Sequence, residues 1–322
     1  MKALTVEEKG QGVVYKEVAD AVPTGDEVIV SLQAAAMNHR DVWITQGLYP
    51  KIQYPAILGS DGAGYWDNQP VVINPSLNWG SNLRFPAPDY QILGMPKAGT
   101  FAQQIAIDKR QLIAKPAHLS MEEAAAIPLG GLTAYRAIFT KGQVKKNDHV
   151  LISGIGGGVA LFAFQFTLAV GAKVYVTSGS DQKIEKAKAM GAAGGVNYQN
   201  ADWVKELGKK SGGFDLIIDS AGGDGFAQLL KLCRFGARVV TYGGGQGYVN
   251  KLSPQLIFWR QVSILGTSMG NDVEFDAMVN FISAHKIVPV VDSVRPLAEG
   301  ADGFDRMDQG KQFGKIVFSI AQ

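Results

Sequence analysis

Among its 322 residues the chain has a single cysteine, Cys233, and only four histidines. One thiol excludes an intramolecular disulfide and a cysteine-rich zinc lobe, and it makes a reducing, cytoplasmic compartment the expectation. A dominant sign of charge is missing as well, since 31 Lys and Arg face 29 Asp and Glu for a net charge of +2. That balance gives no bulk electrostatic case for nucleic acid or an anionic membrane. Long hydrophobic runs are absent. The longest, residues 159–172, is interrupted by Gln165 and Thr167 and falls short of the ~18–20 residues a membrane span needs. The N-terminal Met-Lys-Ala-Leu-Thr-Val-Glu-Glu has no apolar segment behind its lysine, so no signal peptide is expected.

Glycine is what the chain has in excess: 39 residues, where the usual ~7 % would give about 23. That surplus suits a fold with many tight strand–helix turns. The apolar share of 46 % and charged share of 19 % are ordinary for a globular protein. The length fits about two domains.

The texture changes once along the chain. From residue 1 to about 120, short alternating runs such as 28–34, 71–73, 101–107 and 111–114 are separated by glycine and proline, as in an antiparallel β domain. Residues 74–99 hold several prolines and glycines with no helical period and read as a long surface loop. Ser120-Met121-Glu122-Glu123 then forms a capping box ahead of an alanine-rich helix that Pro128 interrupts. Beyond it strands at 150–152, 173–177, 215–219, 237–241 and 263–266 alternate with helices at 159–169, 181–190 and 226–232. Repeated βα units of this length predict an α/β fold with a doubly wound parallel sheet. A further helix at 274–285 leads to a last strand at 315–318, which is expected to return to the first domain.

Between an apolar strand and an apolar helix lies Ser153-Gly154-Ile155-Gly156-Gly157-Gly158-Val159-Ala160. Small residues there let the backbone approach a pyrophosphate, and the helix N-terminus offers free N–H groups. The strict G-x-G-x-x-G spacing is not met, whereas Gly154, Gly157 and Ala160 fit a G-x-x-G-x-x-A reading. A tight packing turn is the alternative for the loop taken alone. The end of the second strand discriminates between cofactors. An NAD site places Asp or Glu about 20 residues after the glycines, but here Ser178 stands there, followed by Ser180 and Lys183. A carboxylate would repel a 2′-phosphate, while two hydroxyls and an ammonium can bind one. NADPH is therefore favoured over NADH, with Lys183 as an ordinary solvated helix lysine the alternative. Asp181 reads as an exposed first-turn acid.

Taken in order, several blocks resemble the medium-chain dehydrogenase/reductase superfamily, within it the zinc-free quinone oxidoreductase-like branch. They are Ala36-Met37-Asn38-His39-Arg40-Asp41, Gly47-Leu48-Tyr49-Pro50, residues 55–64, Leu132-Thr133-Ala134-Tyr135, the glycine loop, residues 187–192, Val196-Asn197-Tyr198 and Phe313-Gly314-Lys315-Ile316-Val317. The resemblance spans essentially the whole chain. Residues 74–80 are similar to bacterial zinc-type members that have lost their metal. It implies a GroES-like β domain over 1–120, completed by 269–322, and a Rossmann domain over 121–268, with a cleft between them. It also implies a homodimer joined through the Rossmann sheets, or a homotetramer built from such dimers. By the same resemblance Tyr198 joins Ser178 and Lys183 at the 2′-phosphate, and Gly243, Gly244, Gly245 and Thr267 line the nicotinamide side.

Departures from the family pattern bear on the chemistry. Zinc-dependent relatives take metal ligands from a Cys-His-x-Asp and a Gly-His-Glu block; this chain has Asn38, Ser60 and Asp61 at the cysteine, histidine and glutamate positions. A catalytic zinc needs three good N, S or O ligands, so no metal is expected. Without zinc, hydride addition to a quinone or an α,β-unsaturated carbonyl is the easier reaction, because charge delocalises and hydrogen-bond donors can stabilise it. Asn38, Arg40 and Tyr49 are the candidates for lining that pocket and Asp41 for orienting them. Tyr49 either donates to the carbonyl oxygen or merely walls the pocket. An alcohol or aldehyde dehydrogenase and a non-catalytic NADPH-binding protein are the alternatives. Cys233 and the phenylalanines 162, 164 and 166 read as core.

Overall fold

Short alternating runs become strands through the first hundred residues. The computed structural model describes residues 1–322. Its N-terminal strands are β1 (Lys2–Val6), β2 (Val14–Glu17), β3 (Glu27–Ala36), β4 (Ala56–Ile57), β5 (Asp61–Trp66), β6 (Gln69–Ile73), β7 (Ser76–Leu77), β8 (Gln91–Ile92), β9 (Gln104–Asp108) and β10 (Leu112–Ala114), with helix α1 (His39–Thr45) after β3. Central β3 pairs antiparallel with β5 and β9, and it turns Val30 and Leu32 into the core.

From Ser120 the period lengthens. Ser120 accepts the Glu123 backbone N–H at 3.1 Å while the Glu123 carboxylate accepts that of Ser120 at 2.8 Å, starting α2 (Met121–Ala125). Helix α3 (Pro128–Tyr135) begins at the interrupting proline. Strands β11 (His149–Ile152), β12 (Lys173–Ser178), β13 (Gly194–Asn197), β14 (Phe214–Asp219), β15 (Cys233–Thr241) and β16 (Ser263–Gly266) follow, with α4 (Gly158–Val170), α5 (Asp181–Ala189), α6 (Trp203–Ser211), α7 (Gly223–Leu229) and α8 (Pro254–Arg260) among them. All six pair in parallel in the order β13-β12-β11-β14-β15-β16. That is the 3-2-1-4-5-6 order of a dinucleotide-binding sheet, whose carboxyl edge binds ligand where the order reverses. The fold is α/β, as the alternating pattern predicts.

After α9 (Asp272–His285) come β17 (Val291–Pro296), α10 (Gly300–Asp308) and β18 (Lys315–Ser319). The last strand lies between β17 and β3, parallel to one and antiparallel to the other. The chain thus divides into two units, Met1–Leu132 with Gly270–Gln322, and Thr133–Met269. In the first unit the Phe101 ring meets Phe318 edge-on at 5.2 Å and Phe304 at 6.3 Å, over Leu4, Leu32, Met37 and Ile44. The second unit centres on Leu151, Tyr175, Phe214, Ile217 and Phe226. Phe162, Phe164 and Phe166 of α4 are buried, as their all-round apolar helix requires. No helix is long and apolar enough to cross a membrane.

One expectation needs correcting. Residues 74–99 are not simply a surface loop, because they contain the β7–β8 pair and bury Leu77, Trp79, Leu93 and Met95. Trp79 packs edge-on against Tyr90 at 5.3 Å.

Candidate functional site

In the first unit the candidate residues converge on the start of α1. Asn38 is the N-cap, and Asp41, three residues on, accepts the Asn38 backbone N–H on Oδ2 at 2.8 Å. That bond fixes the first turn and with it the origin of the Arg40 side chain. Gly59 brings the next strand close. Its φ of +97° and the crowding of a Cβ there against Phe101, at 2.5 Å, require glycine just before Ser60 and Asp61. Arg40 Nη1 donates to Ser60 Oγ at 2.6 Å and to the Leu93 carbonyl at 2.7 Å, and Nε donates to the Tyr49 hydroxyl at 3.4 Å. The guanidinium also lies 4.8 Å from the centre of the Tyr49 ring. Arg40 Nη2 and Asp41 Oδ1 are buried with no protein partner.

The Asn38 side chain is not free to line a pocket as a donor in the way its sequence position suggests. Its Nδ2 donates to Asp61 Oδ2 at 3.0 Å, and its Oδ1 accepts from the Lys315 ammonium at 2.8 Å. Lys315 also donates to Asp61 Oδ2 at 2.8 Å and to the Met37 carbonyl at 2.5 Å. Asp61 Oδ1 takes the Leu129 backbone N–H at 2.7 Å. Arg40, Asp41, Asp61 and Lys315 are all buried. Sequence reading passed over Lys315 as a site residue. The available signal is a lone cation in the apolar run 315–318 of a strand, which has to find an anion when buried.

The second unit gathers the glycine loop and its neighbours at the carboxyl edge of the parallel sheet. The Gly154 and Ile155 N–H groups bond to Thr177 Oγ1 and O at 3.2 and 2.8 Å. Ser153 Oγ donates to Asp219 Oδ1 at 2.7 Å, and Asp219 Oδ2 accepts from the Gly222 N–H at 2.9 Å. Gly157 is the N-cap of α4, Gly158 and Val159 open the helix, and Ala160 is buried in its first turn. Ser178 ends β12 and accepts the Ser180 N–H at 3.2 Å; Ser180 caps α5. The Lys183 side chain lies over Gly156, so that a Cβ there would come within 2.9 Å of its Cδ and 3.3 Å of its Nζ. Half-exposed Tyr198 reaches Gly179, whose Cβ would sit 2.8 Å from the phenolic oxygen. Gly243 packs on the Ser220 carbonyl, Gly244 and Gly245 are exposed, and the Thr267 Oγ1 is buried without a partner. Of the thirteen positions singled out for the nucleotide, Ser178 ends β12 and the other twelve lie in the turns and helix starts that follow β11, β12, β13, β15 and β16. Such an edge, with its glycines and the N-terminus of α4, fits a dinucleotide.

The comparisons with known proteins agree with this frame. Residues 24–117 match the alcohol dehydrogenase GroES-like domain and residues 158–284 the zinc-binding dehydrogenase model. The chain is 36 % identical to the zinc-type alcohol dehydrogenase-like protein YogA of Leptosphaeria maculans, over 94 % of this chain and 93 % of that one. It is 31 % identical to quinone oxidoreductase 1 of Escherichia coli, over 72 % and 69 % of the two chains. A crystal structure named as an NAD-dependent alcohol dehydrogenase superposes with a TM-score of 0.93 at 36 % identity, over 100 % of both chains. The chain belongs to the medium-chain dehydrogenase/reductase superfamily.

Membership raises the question of zinc. At the family's ligand positions Asn38 Oδ1 and Asp61 Oδ2 already accept from Lys315, and Ser60 Oγ accepts from Arg40. A metal ion placed there would face an ammonium and a guanidinium. These residues do not fit a zinc ion, and no group of three or more His, Cys, Asp or Glu side chains is placed to hold one. Cys233, the one thiol, is buried in the second unit's core, where desolvation pushes it up to about 12.

Asp41 titrates unusually. Burial raises its pKa from 3.8 to about 6, against the opposing pull of Arg40, the Asn38 N–H and Lys315; Asp61 adds to the rise. The folded state therefore holds this proton more tightly than the unfolded chain. Its contribution to stability is full below 3.8 and is lost as pH rises through about 6. The gap between those values corresponds to about 3 kcal/mol. Urea midpoints measured across this range are expected to fall with rising pH in the wild type, and Asp41→Asn is expected to flatten that part of the profile.

Proposed function

We propose that the chain is an NADPH-dependent oxidoreductase that passes hydride to a quinone or an α,β-unsaturated carbonyl without a catalytic zinc. The observation that supports this most directly is the Arg40–Tyr49 pair. In a guanidinium, Nε–H and one Nη2–H point from the same edge. Arg40 uses Nε on the Tyr49 oxygen, and its Nη2 has no protein partner. The phenol accepts from Arg40, so its own hydrogen remains available. A ligand oxygen beside that edge receives two donors, one of them permanently charged.

Bound NADPH supplies the hydride. Gly154, Gly157, Gly158, Val159 and Ala160 would hold its pyrophosphate, Ser178, Ser180, Lys183 and Tyr198 its 2′-phosphate, and Gly243, Gly244, Gly245 and Thr267 the nicotinamide side. When hydride adds to an enone or a quinone, negative charge develops on the carbonyl oxygen, and fixed donors aimed there lower the barrier. Arginine cannot give up its proton at any ordinary pH, so Arg40 stabilises the oxyanion while Tyr49 or water delivers the proton. Asn38 and Asp41 act as positioning residues for the turn that carries Arg40.

A second reading, an alcohol or aldehyde dehydrogenase, is favoured by the close superposition on the NAD-dependent alcohol dehydrogenase. Alcohol-dependent reduction of the oxidised cofactor by enzyme containing zinc would establish it. Binding of NADPH with no turnover of any acceptor would point instead to a non-catalytic protein. The single buried cysteine supports a reducing, cytoplasmic setting.

Titration with NADPH and NADH tests the cofactor assignment. The wild type is expected to prefer NADPH, and Lys183→Ala to lose about tenfold of its NADPH affinity with NADH unchanged. Equal affinities in the wild type would sink the 2′-phosphate assignment. Steady-state kinetics with a quinone or an enone test the oxygen site. Tyr49→Phe is expected to lower kcat about 10- to 100-fold with less change in KM.

Self-association is the partner reading supported by the second unit's surface. Edge strand β16 pairs only with β15, and Ile264 on it, Phe235 on β15 and Phe258 and Trp259 on α8 are all exposed. Unpaired edges of this kind invite a second copy. Analytical ultracentrifugation is expected to find a homodimer or homotetramer, and Ile264→Lys/Trp259→Glu to yield monomer.

A further inference from the structure

Four buried ionisable groups share the start of α1: Arg40, Asp41, Asp61 and Lys315. Two are basic and two are acidic, and Asp41 feels the charge of the other three. The pairing is not symmetrical. Lys315 is committed to Asp61 by a 2.8 Å bond and to Asn38 Oδ1 by another, and its side chain is 4 % exposed. Arg40, by contrast, bonds only to neutral oxygens, those of Ser60, Leu93 and Tyr49, and keeps Nη2 unpartnered. Without Lys315, Asp61 would be an uncompensated anion next in the chain to the Ser60 that Arg40 holds.

We infer that Lys315 is the internal counter-ion of this site, neutralising Asp61 so that the positive charge of Arg40 is left for an anionic oxygen on the ligand. This rests on the reading of the Arg40–Tyr49 pair as the oxygen-binding site. The Lys315 ammonium is taken up by Met37, Asn38 and Asp61, so it is a positioning residue that acts through charge. The ammonium is delivered by the last strand, 254 residues along the chain from its partner carboxylate.

Charge and shape make different predictions, and binding of two probes to the full-length protein saturated with NADP⁺ separates them. One probe is para-nitrophenolate, an oxyanion; the other is para-nitrotoluene, of similar shape and uncharged. Lys315→Met is expected to weaken the anion about tenfold, as a nearby charge in a poorly solvated site does, and to leave the neutral probe within about twofold. Lys315→Arg, which keeps the charge, is expected to retain most of the anion affinity. If Lys315→Met fails to fold, Asp61→Asn, which frees the ammonium, is expected to tighten the phenolate about tenfold and to leave the neutral probe within about twofold. An equal loss for both probes, or none for either, overturns the counter-ion role and leaves a packing role. Failure of the underlying reading looks different: the wild type itself would then show no preference for the phenolate, and Arg40→Met would not change its affinity.

Discussion

Asp61 is the junction on which the first unit's polar interior depends. Its two carboxylate oxygens receive hydrogen bonds from the Leu129 backbone, the Asn38 amide and the Lys315 ammonium, and its carbonyl takes the Thr100 hydroxyl at 2.8 Å. Those donors come from α3, the cap of α1, β18 and the segment before β9. A carboxylate removed from water is costly unless nearly all its lone pairs are met. Each donor is thus bound to the same point by the penalty its loss would bring. Apolar residues of the same volume could stabilise the fold as well, but they would not hold a helix cap and a terminal strand in one orientation.

From that junction the geometry passes outward in short steps. The Asn38 amide has one end on an anion and the other on a cation, so turning it over would set oxygen against carboxylate and N–H against ammonium. With the cap held, Asp41 closes the first turn of α1, and Arg40 leaves that turn toward Ser60 and Leu93. The guanidinium is placed by three neutral acceptors and not by a salt bridge, and Asp41 next to it in the chain is the carboxyl group that feels its charge.

How legible each part was in the sequence follows from the range of the interactions involved. The βα alternation, the Ser120 capping box and the glycine loop are local patterns, and they located the parallel sheet and its nucleotide edge. The β7–β8 region escaped because two-residue strands are too short for alternation to show, and the burial of Trp79 comes from Tyr90, eleven residues on in sequence. Helices α1 and α10 went unread for a similar reason: one has only seven residues, and the other holds two glycines. Asn38, Arg40, Asp41 and Tyr49 could be named from family blocks. That Asn38 is engaged at both ends could not, because the partner that engages it comes from the far terminus of the chain.

The irregular spacing of the glycine loop has a physical reason in the same terms. A strict dinucleotide fingerprint has a third glycine so that helix and strand can pack closely; here Ala160 occupies that place, fully enclosed with only a methyl group. Gly156, which falls outside the G-x-x-G-x-x-A spacing, answers a different need. Its φ is +133°, a conformation closed to L side chains, and the Lys183 chain lies where its Cβ would be. Thr177 meanwhile fixes the loop through both its hydroxyl and its carbonyl, one residue before Ser178 ends the strand. Gly156 thus leaves room for a cation beside the start of α4. A carboxylate at the end of β12 would pair with that cation, and the hydroxyl of Ser178 leaves it without a counter-charge from that position.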